Sequence, residues 1–372
     1  MKVLNLLDTG GIGGIEQLCK DIAAYADYEN TFVFLFREGV VYDEMREAGY
    51  DVYSLAGYGN IKLNPKRMNA LSELASGYDI IIVHHSSLAI QMLYVKLKEQ
   101  YPQKKFILTA HSCFGADYYF KLYKNPIKRL MRMKFQKQAL DVSDMIIFVS
   151  NAGKKSYLSY YDIPEDKTRV VYNGIVPPKE KPMPKCRKTD ETPFSITYIG
   201  RLVEVKGVQN LIQAVALLKD RGIECRVNIC GEGDYRSTLE ALSKSCNVED
   251  RVRFHGTQRD KAKFFKDTDI FVYPSICEEV FGISIIEALS YGIPCVVNCV
   301  GGIPEIITDG YNGAIAAEKT AKALSDAIER IAKMYRSDEI TEMSRHCLET
   351  AGKFTIQNTL AGIKACCESV MK

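Results

Sequence analysis

Short apolar, often β-branched runs alternate with longer amphipathic stretches through the first half of the chain. "KVLNLL", "TFVFLF", "DIIIVHH", "KFILTAH", "MIIFVS" and "RVVYNG" are each separated by a segment of helix length. Unbroken apolar runs of this kind suit strands buried on both faces, so the alternation predicts a parallel sheet covered by helices on either side. The pattern stops at "PPKEKPMPKCRKTDETP", residues 177–193, where proline and charge dominate. That composition predicts an interdomain linker over 178–193. The alternation then restarts with "FSITYIG", "CRVNICG", "VRFHG", "DIFVYPS", "PCVVNCV" and "GAIAA".

Two such series predict two doubly wound α/β domains, residues 1–177 and 194–353, facing each other across a cleft. The carboxyl ends of their strands would carry the ligands. Residues 354–372 read as a helix open to packing on either domain, including a return onto the first.

Length agrees with two domains, because 372 residues exceed what one core usually organises. A net charge of +3 excludes the broad positive field of a nucleic-acid binder. The twelve cysteines show no paired C-x-x-C spacing, and several lie in apolar runs such as "CVVNCV". They read as free thiols in a reducing compartment, and no metal site is expected. The N-terminus reads as a first strand rather than a signal peptide. No apolar run reaches the roughly 20 residues of a membrane span. A cytoplasmic protein is expected.

The candidate chemistry falls at the predicted carboxyl ends of strands. "DTGGIGGIEQ" places Gly13 and Gly14 at a strand-to-helix turn, where backbone N–H groups can approach a phosphate; a tight packing turn is the plain alternative. "GRLVEVKG" brings Arg201 and Lys206 to the start of a helix near Val208, where two cations suit a diphosphate. In "EEVFGISIIEAL", Glu279 and Glu287 stand eight positions apart with no evident partner nearby. Each suits a hydroxyl-rich ligand, with free N–H groups around Phe281, Gly282 and Ser284. Ser284-x-x-Glu287 also matches a capping box, which would give Glu287 a purely local duty. "CVGGIPEIITDGYNG" adds a turn at the same rim.

Among the five histidines, His111 ends the strand "KFILTAH", with His84 and His85 weaker candidates on the strand before it. Residues 118–140 carry seven Lys or Arg and no acid. From Pro126 they predict a helix with Ile127, Leu130, Met131 and Phe135 on one stripe. Such a helix suits an anionic membrane surface, and equally a core-facing stripe with a solvated basic back.

Taken together, "GGIGGIE", "GRLVEVKG", "NICGEGDYRSTLEAL", "VRFHGTQ", "VYPSICEEVFGISIIEALSYGIPCVV" and "GGIPEIITDGYNG" resemble family 4 of the retaining glycosyltransferases. Glu279 and Glu287 match that family's E-x7-E motif. The resemblance implies the GT-B fold of two facing Rossmann-like domains and a nucleotide-sugar donor, uridine being the favoured base. It implies sugar contacts from Glu279 and the backbone near Phe281 and Gly282, and ribose contacts from Glu287. Arg201 and Lys206 would stabilise the diphosphate, helped by Gly13 and Gly14. His111 would contact the donor sugar, and Gly256 and Thr257 would line the base pocket.

The implied reaction is metal-independent transfer with retention, in which the acceptor hydroxyl gives its proton to the departing phosphate. The acceptor would be a saccharide, lipid-linked at the inner leaflet if the basic helix meets membrane. Val205 departs from the family pattern, which commonly has an acid there, but both cations are present.

Other readings remain: a catalytically silent subunit of the same fold, a hydrolysing epimerase, and a nicotinamide oxidoreductase, which leaves the second-domain motifs unexplained. If Glu279 holds only ligand, Glu279→Gln is expected to abolish transfer with little loss of stability.

Overall fold

A computed structural model describes the chain except for residues 60–61, 85–86, 115–124 and 190–192. It comprises two compact units, Met1–Val176 with Ile356–Lys372, and Pro177–Thr355.

The first unit is built on a parallel sheet of β1 (Lys2–Thr9), β2 (Glu29–Arg37), β3 (Val52–Ser54), β4 (Ile80–Val83), β5 (Lys105–Ala110), β6 (Met145–Phe148) and β7 (Thr168–Val170). Their spatial order is β3-β2-β1-β4-β5-β6-β7. Strand side chains alternate between faces. Leu4, Leu6, Val33, Leu35, Ile81 and Val83 enter one core, while Val3, Leu7, Phe32, Phe34, Ile80 and Ile82 enter the other. Both faces are covered, which is why these strands read as unbroken apolar runs. Asn5, only 1% exposed, interrupts the Val3–Leu7 face with a polar group.

The helix Ile356–Met371 belongs to this unit. Ile356, Leu360, Ile363, Cys366, Cys367 and Val370 complete the core on the Val3 face. Their near i, i+3, i+4 spacing forms one helical stripe.

The second unit repeats the plan with β8 (Phe194–Ile199), β9 (Cys225–Cys230), β10 (Val252–Gly256), β11 (Ile270–Tyr273), β12 (Cys295–Asn298) and β13 (Gly313–Ala316), in the order β10-β9-β8-β11-β12-β13. In each sheet the order reverses beside the first strand, between β1 and β4 and between β8 and β11. Open α/β sheets bind ligands outside the carboxyl ends at such a switch point. β8 pairs with β9 from Phe194 to Ile199 but with β11 only at Ile196 and Thr197, so β8 and β11 part at their carboxyl ends.

Among its described residues the proline-rich stretch after Val176 contains no helix or strand, yet it is no free tether. The Lys185 N–H donates to Ser344 Oγ (2.8 Å), the Lys188 N–H to the Tyr335 carbonyl (2.9 Å), and Lys188 Nζ pairs with buried Asp269 (2.5 Å). Proline and charge foretold the lack of regular structure. They could not reveal partners that lie far along the chain.

The helix Pro126–Val142 starts with the Asn125 side chain accepting from the Ile127 and Lys128 N–H groups. Gln136, Ala139 and Leu140 anchor its second half. Along the expected stripe, Phe135 is half-buried, while Ile127 (68%), Leu130 (69%) and Met131 (44%) are exposed. Residues 118–124 of the basic segment lie outside the described residues. Among the described residues, no helix is long and apolar enough to cross a membrane.

Candidate functional site

Three loops of the second unit are stitched together at the carboxyl ends of β8, β11 and β12. Asn298, at the end of β12, donates from Nδ2 to the carbonyls of Pro274 (2.9 Å) and Ser275 (3.1 Å). The Ile276 N–H donates to the Val205 carbonyl (2.9 Å), and the Gly302 N–H to the Glu279 carbonyl (2.7 Å). Two close approaches require glycine. Gly207 (φ +71°) lies against the Pro274 carbonyl and Gly301 (φ +52°) against the Glu279 backbone, and neither leaves room for a Cβ.

This stitching brings Lys206 to Glu279, with Nζ 2.5 Å from Oε1. The same ammonium donates to the Tyr273 hydroxyl (3.0 Å), and Ser275 Oγ donates to Glu279 Oε1 (2.6 Å). Both charged side chains are close to nine-tenths buried. Burial alone would drive the Lys206 proton off, but Tyr273 and Glu279 outweigh it and hold the ammonium above its ordinary pKa. Burial, reinforced by the Glu279 charge, pushes the Tyr273 phenol up to about 12, so it stays protonated at neutral pH. The result is a shielded ion pair with hydroxyls on both partners.

Glu287 has a partner of its own. Lys261 Nζ lies 2.7 and 2.8 Å from its two oxygens. Gly282 (φ +127°) is the N-cap of the helix Ile283–Leu289, and no side chain caps that helix. The capping box that Ser284-x-x-Glu287 matches is not formed, because Gly282 is the N-cap and Ser284 lies inside the helix, while the Glu287 carboxylate meets Lys261. Ser284 and Gly282 are half-buried. Phe281 is 1% exposed and packs edge-on against Phe354, so its ring serves the core. Gly256 ends β10, and its carbonyl accepts from the Gly231 N–H (2.8 Å). Thr257 beside it is exposed, and the segment runs on to Lys261. Arg201 is exposed, with its carbonyl held by the Tyr198 hydroxyl (2.9 Å). Among the described residues its guanidinium has no recorded ion pair.

Gly13, Gly14 and His111 belong to the first unit. Gly13 is the N-cap of the helix Gly14–Tyr25. The Glu16 carboxylate lies against Gly13 and accepts from Thr9 Oγ1 (3.3 Å), so an acid of the protein already sits at this positive helix end. His111, half-buried after β5, has Nε2 3.3 Å from Nδ1 of His84. His84 is 1% exposed, and burial pushes its pKa down to about 4. Its Nε2 lies 2.9 Å from Asn5 Oδ1. His85 lies outside the described residues.

Sequence reasoning thus found Lys206 and Glu279 but missed that they pair, and it missed Tyr273, Ser275 and Lys261. A hydroxyl-bearing Tyr closing the apolar strand "IFVY" was the available signal for Tyr273. Lys261 had none, since its partner lies 26 residues away.

Comparison with known proteins agrees with this architecture. The family model for glycosyl transferases group 1 matches residues 180–352, and that for glycosyltransferase family 4 matches residues 12–177. An uncharacterised glycosyltransferase of Methanocaldococcus jannaschii is 31% identical over 221 residues, 56% of this chain and 56% of its own length. The amylovoran biosynthesis glycosyltransferase AmsK of Erwinia amylovora is 31% identical over 177 residues, 46% of this chain and 43% of its own. The chain spans about half the length of the curated relatives it matches. The crystal structure of Anabaena HepE in complex with UDP-glucose superposes with a TM-score of 0.82 over 99% of this chain and 100% of that one, at 19% identity. At that identity the likeness is one of fold, and the fold is GT-B.

Proposed function

We propose, for a chain that belongs to family 4 of the glycosyltransferases, that it moves a sugar from a nucleotide-diphosphate donor to an acceptor hydroxyl with retention of anomeric configuration. The observation that carries this reading is the shielded Lys206–Glu279 pair at the switch point of the second sheet, with Glu287 on the helix that follows. A donor offers each partner a replacement. Sugar hydroxyls take over the hydrogen bonds of Glu279, and the diphosphate takes over the charge of Lys206. Exposed Arg201 adds a second cation. Glu287 exchanges Lys261 for the ribose hydroxyls, and Gly256 and Thr257 flank the base.

Backbone N–H groups near Phe281, Gly282 and Ser284 meet the sugar. Gly13, Gly14 and His111 of the first unit are assigned the remaining donor contacts. In the transfer step the acceptor oxygen bonds to the anomeric carbon as the bond to phosphate breaks. The acceptor proton passes to the departing phosphate, whose charge Arg201 and Lys206 carry. No metal or resident cofactor is assigned a part.

The UDP-glucose complex of HepE supports uridine as the base, and the relative in amylovoran biosynthesis supports a saccharide acceptor in surface-polysaccharide or glycoconjugate synthesis. The exposed Ile127, Leu130 and Met131, set among Lys128, Arg129 and Arg132, support contact with an anionic membrane surface from the cytoplasmic side.

Thermal shifts with UDP, GDP, ADP and their common sugars test the donor site. One nucleotide family should raise the Tm of the wild type and fail to raise that of Glu287→Ala. Stabilisation by none of them would move the reading to a catalytically silent subunit. Free sugar as the sole product would mark a hydrolase, and inversion at the anomeric carbon would refute retention.

A further inference from the structure

The polar interruption in β1 leads by hydrogen bonds to His111. Asn5 Nδ2 donates to the Thr31 carbonyl (3.3 Å) and to Asn30 Oδ1 (3.2 Å). The Thr31 carbonyl is backbone and can only accept, so the Asn5 amide is oriented with Oδ1 toward His84. Oδ1 also only accepts, so His84 Nε2 carries the proton. The reverse tautomer would press two acceptors together at 2.9 Å inside the core, where no water relieves them. A buried, neutral imidazole has one N–H, which leaves His84 Nδ1 as an acceptor facing His111 Nε2 at 3.3 Å. With both ring nitrogens of His84 partnered, its ring orientation is determined as well.

We propose that Asn5 and His84 are positioning residues that hold the His111 proton on Nε2, which leaves Nδ1 as the only ring nitrogen of His111 that can take a further proton. The inference rests on the reading of His111 as a donor contact only for its purpose. The tautomer itself follows from the chain of partners. If the donor sugar meets His111 at Nδ1, that one atom accepts from a hydroxyl when the ring is neutral and donates when it is protonated. A polar chain through an otherwise apolar sheet face is costly unless every member is satisfied. The chain begins at an immovable backbone carbonyl and ends on the residue singled out from sequence.

Long-range 1H–15N spectra of the full chain labelled at histidine test this without any substrate, with His84→Asn and His111→Ala assigning the signals. The wild type should show Nε2–H on both rings, and His111 should titrate at Nδ1. Asn5→Leu should lose that pattern and lower kcat about tenfold or more, with the KM for donor little changed. A proton on His111 Nδ1 in the wild type, or an unchanged His111 spectrum in folded Asn5→Leu, would overturn the relay. If instead the spectra hold while no nucleotide raises the Tm, the relay stands and the transferase reading fails.

Discussion

Glu279 is the residue at which the sequence-based expectation changes most. As a bare ligand-binding carboxylate it would tolerate Glu279→Gln without cost. In the structure it neutralises a largely buried ammonium and accepts from Ser275. Removing one partner of such a pair strands the other, and glutamine keeps only a neutral acceptor. Glu279→Gln should therefore lower stability by about 1–3 kcal/mol in urea unfolding, besides cutting transfer about a hundredfold or more. Wild-type stability in that variant would mean that the pair contributes nothing to the fold.

His84 carries the clearest pH dependence. Its folded pKa, near 4, lies below the ordinary 6.5, so the unfolded chain binds the proton more readily. The stabilisation is complete above about pH 6.5 and is lost as pH falls toward 4. Between pH 7 and pH 5 it should remove about 2 kcal/mol. His84→Asn should flatten that part of the pH profile relative to the wild type.

At the scale of elements, the loops after β8, β11 and β12 act as one piece because backbone meets backbone at Gly207 and Gly301. Gly301→Ala sets a methyl against the Glu279 backbone at a φ unfavourable to alanine, and should cost about 1–3 kcal/mol. Transfer should fall with it as Glu279 shifts. Gly310 (φ +76°) has open space around its missing Cβ, so Gly310→Ala provides a control for backbone strain alone.

The helix Pro126–Val142 is decided by burial. Its sequence stripe suited core or membrane equally, and the structure leaves the first two turns of that stripe exposed. Leu130→Asp should weaken sedimentation with vesicles containing anionic phosphatidylglycerol while leaving the Tm within a degree or two. Equal binding by wild type and variant would remove this helix from any membrane contact.

Across the whole molecule, the chain leaves the first unit after Val176 and returns at Ile356. The last helix contributes six side chains to the core of the first unit. At about 1.5–3 kcal/mol for each fully buried aliphatic side chain, their loss is as large as the margin by which domains are stable. Truncation after Thr355 should therefore leave the first unit unable to fold, seen as insolubility or loss of near-UV circular dichroism. A soluble, cooperatively folded truncation product would show that the return segment is dispensable.

The fold was legible from the sequence, and so was the position of Lys206 and Glu279 in loops that follow strands, because both rest on local information. Unbroken apolar runs place the buried strands and amphipathic stretches the helices, and motifs such as "GRLVEVKG" and "EEVFGISIIEAL" mark candidate residues at strand ends. Partnership was not legible. Lys206 meets Glu279 across 73 residues, His84 meets Asn5 across 79, and Lys188 meets Asp269 across 81. Nothing in the spacing of either member marks the other. Which charges neutralise each other, which nitrogen of a histidine holds its proton, and whether an apolar stripe faces core or solvent depend on desolvation and direct contact. Those terms arise only when the strands are laid side by side, and tertiary structure decided them.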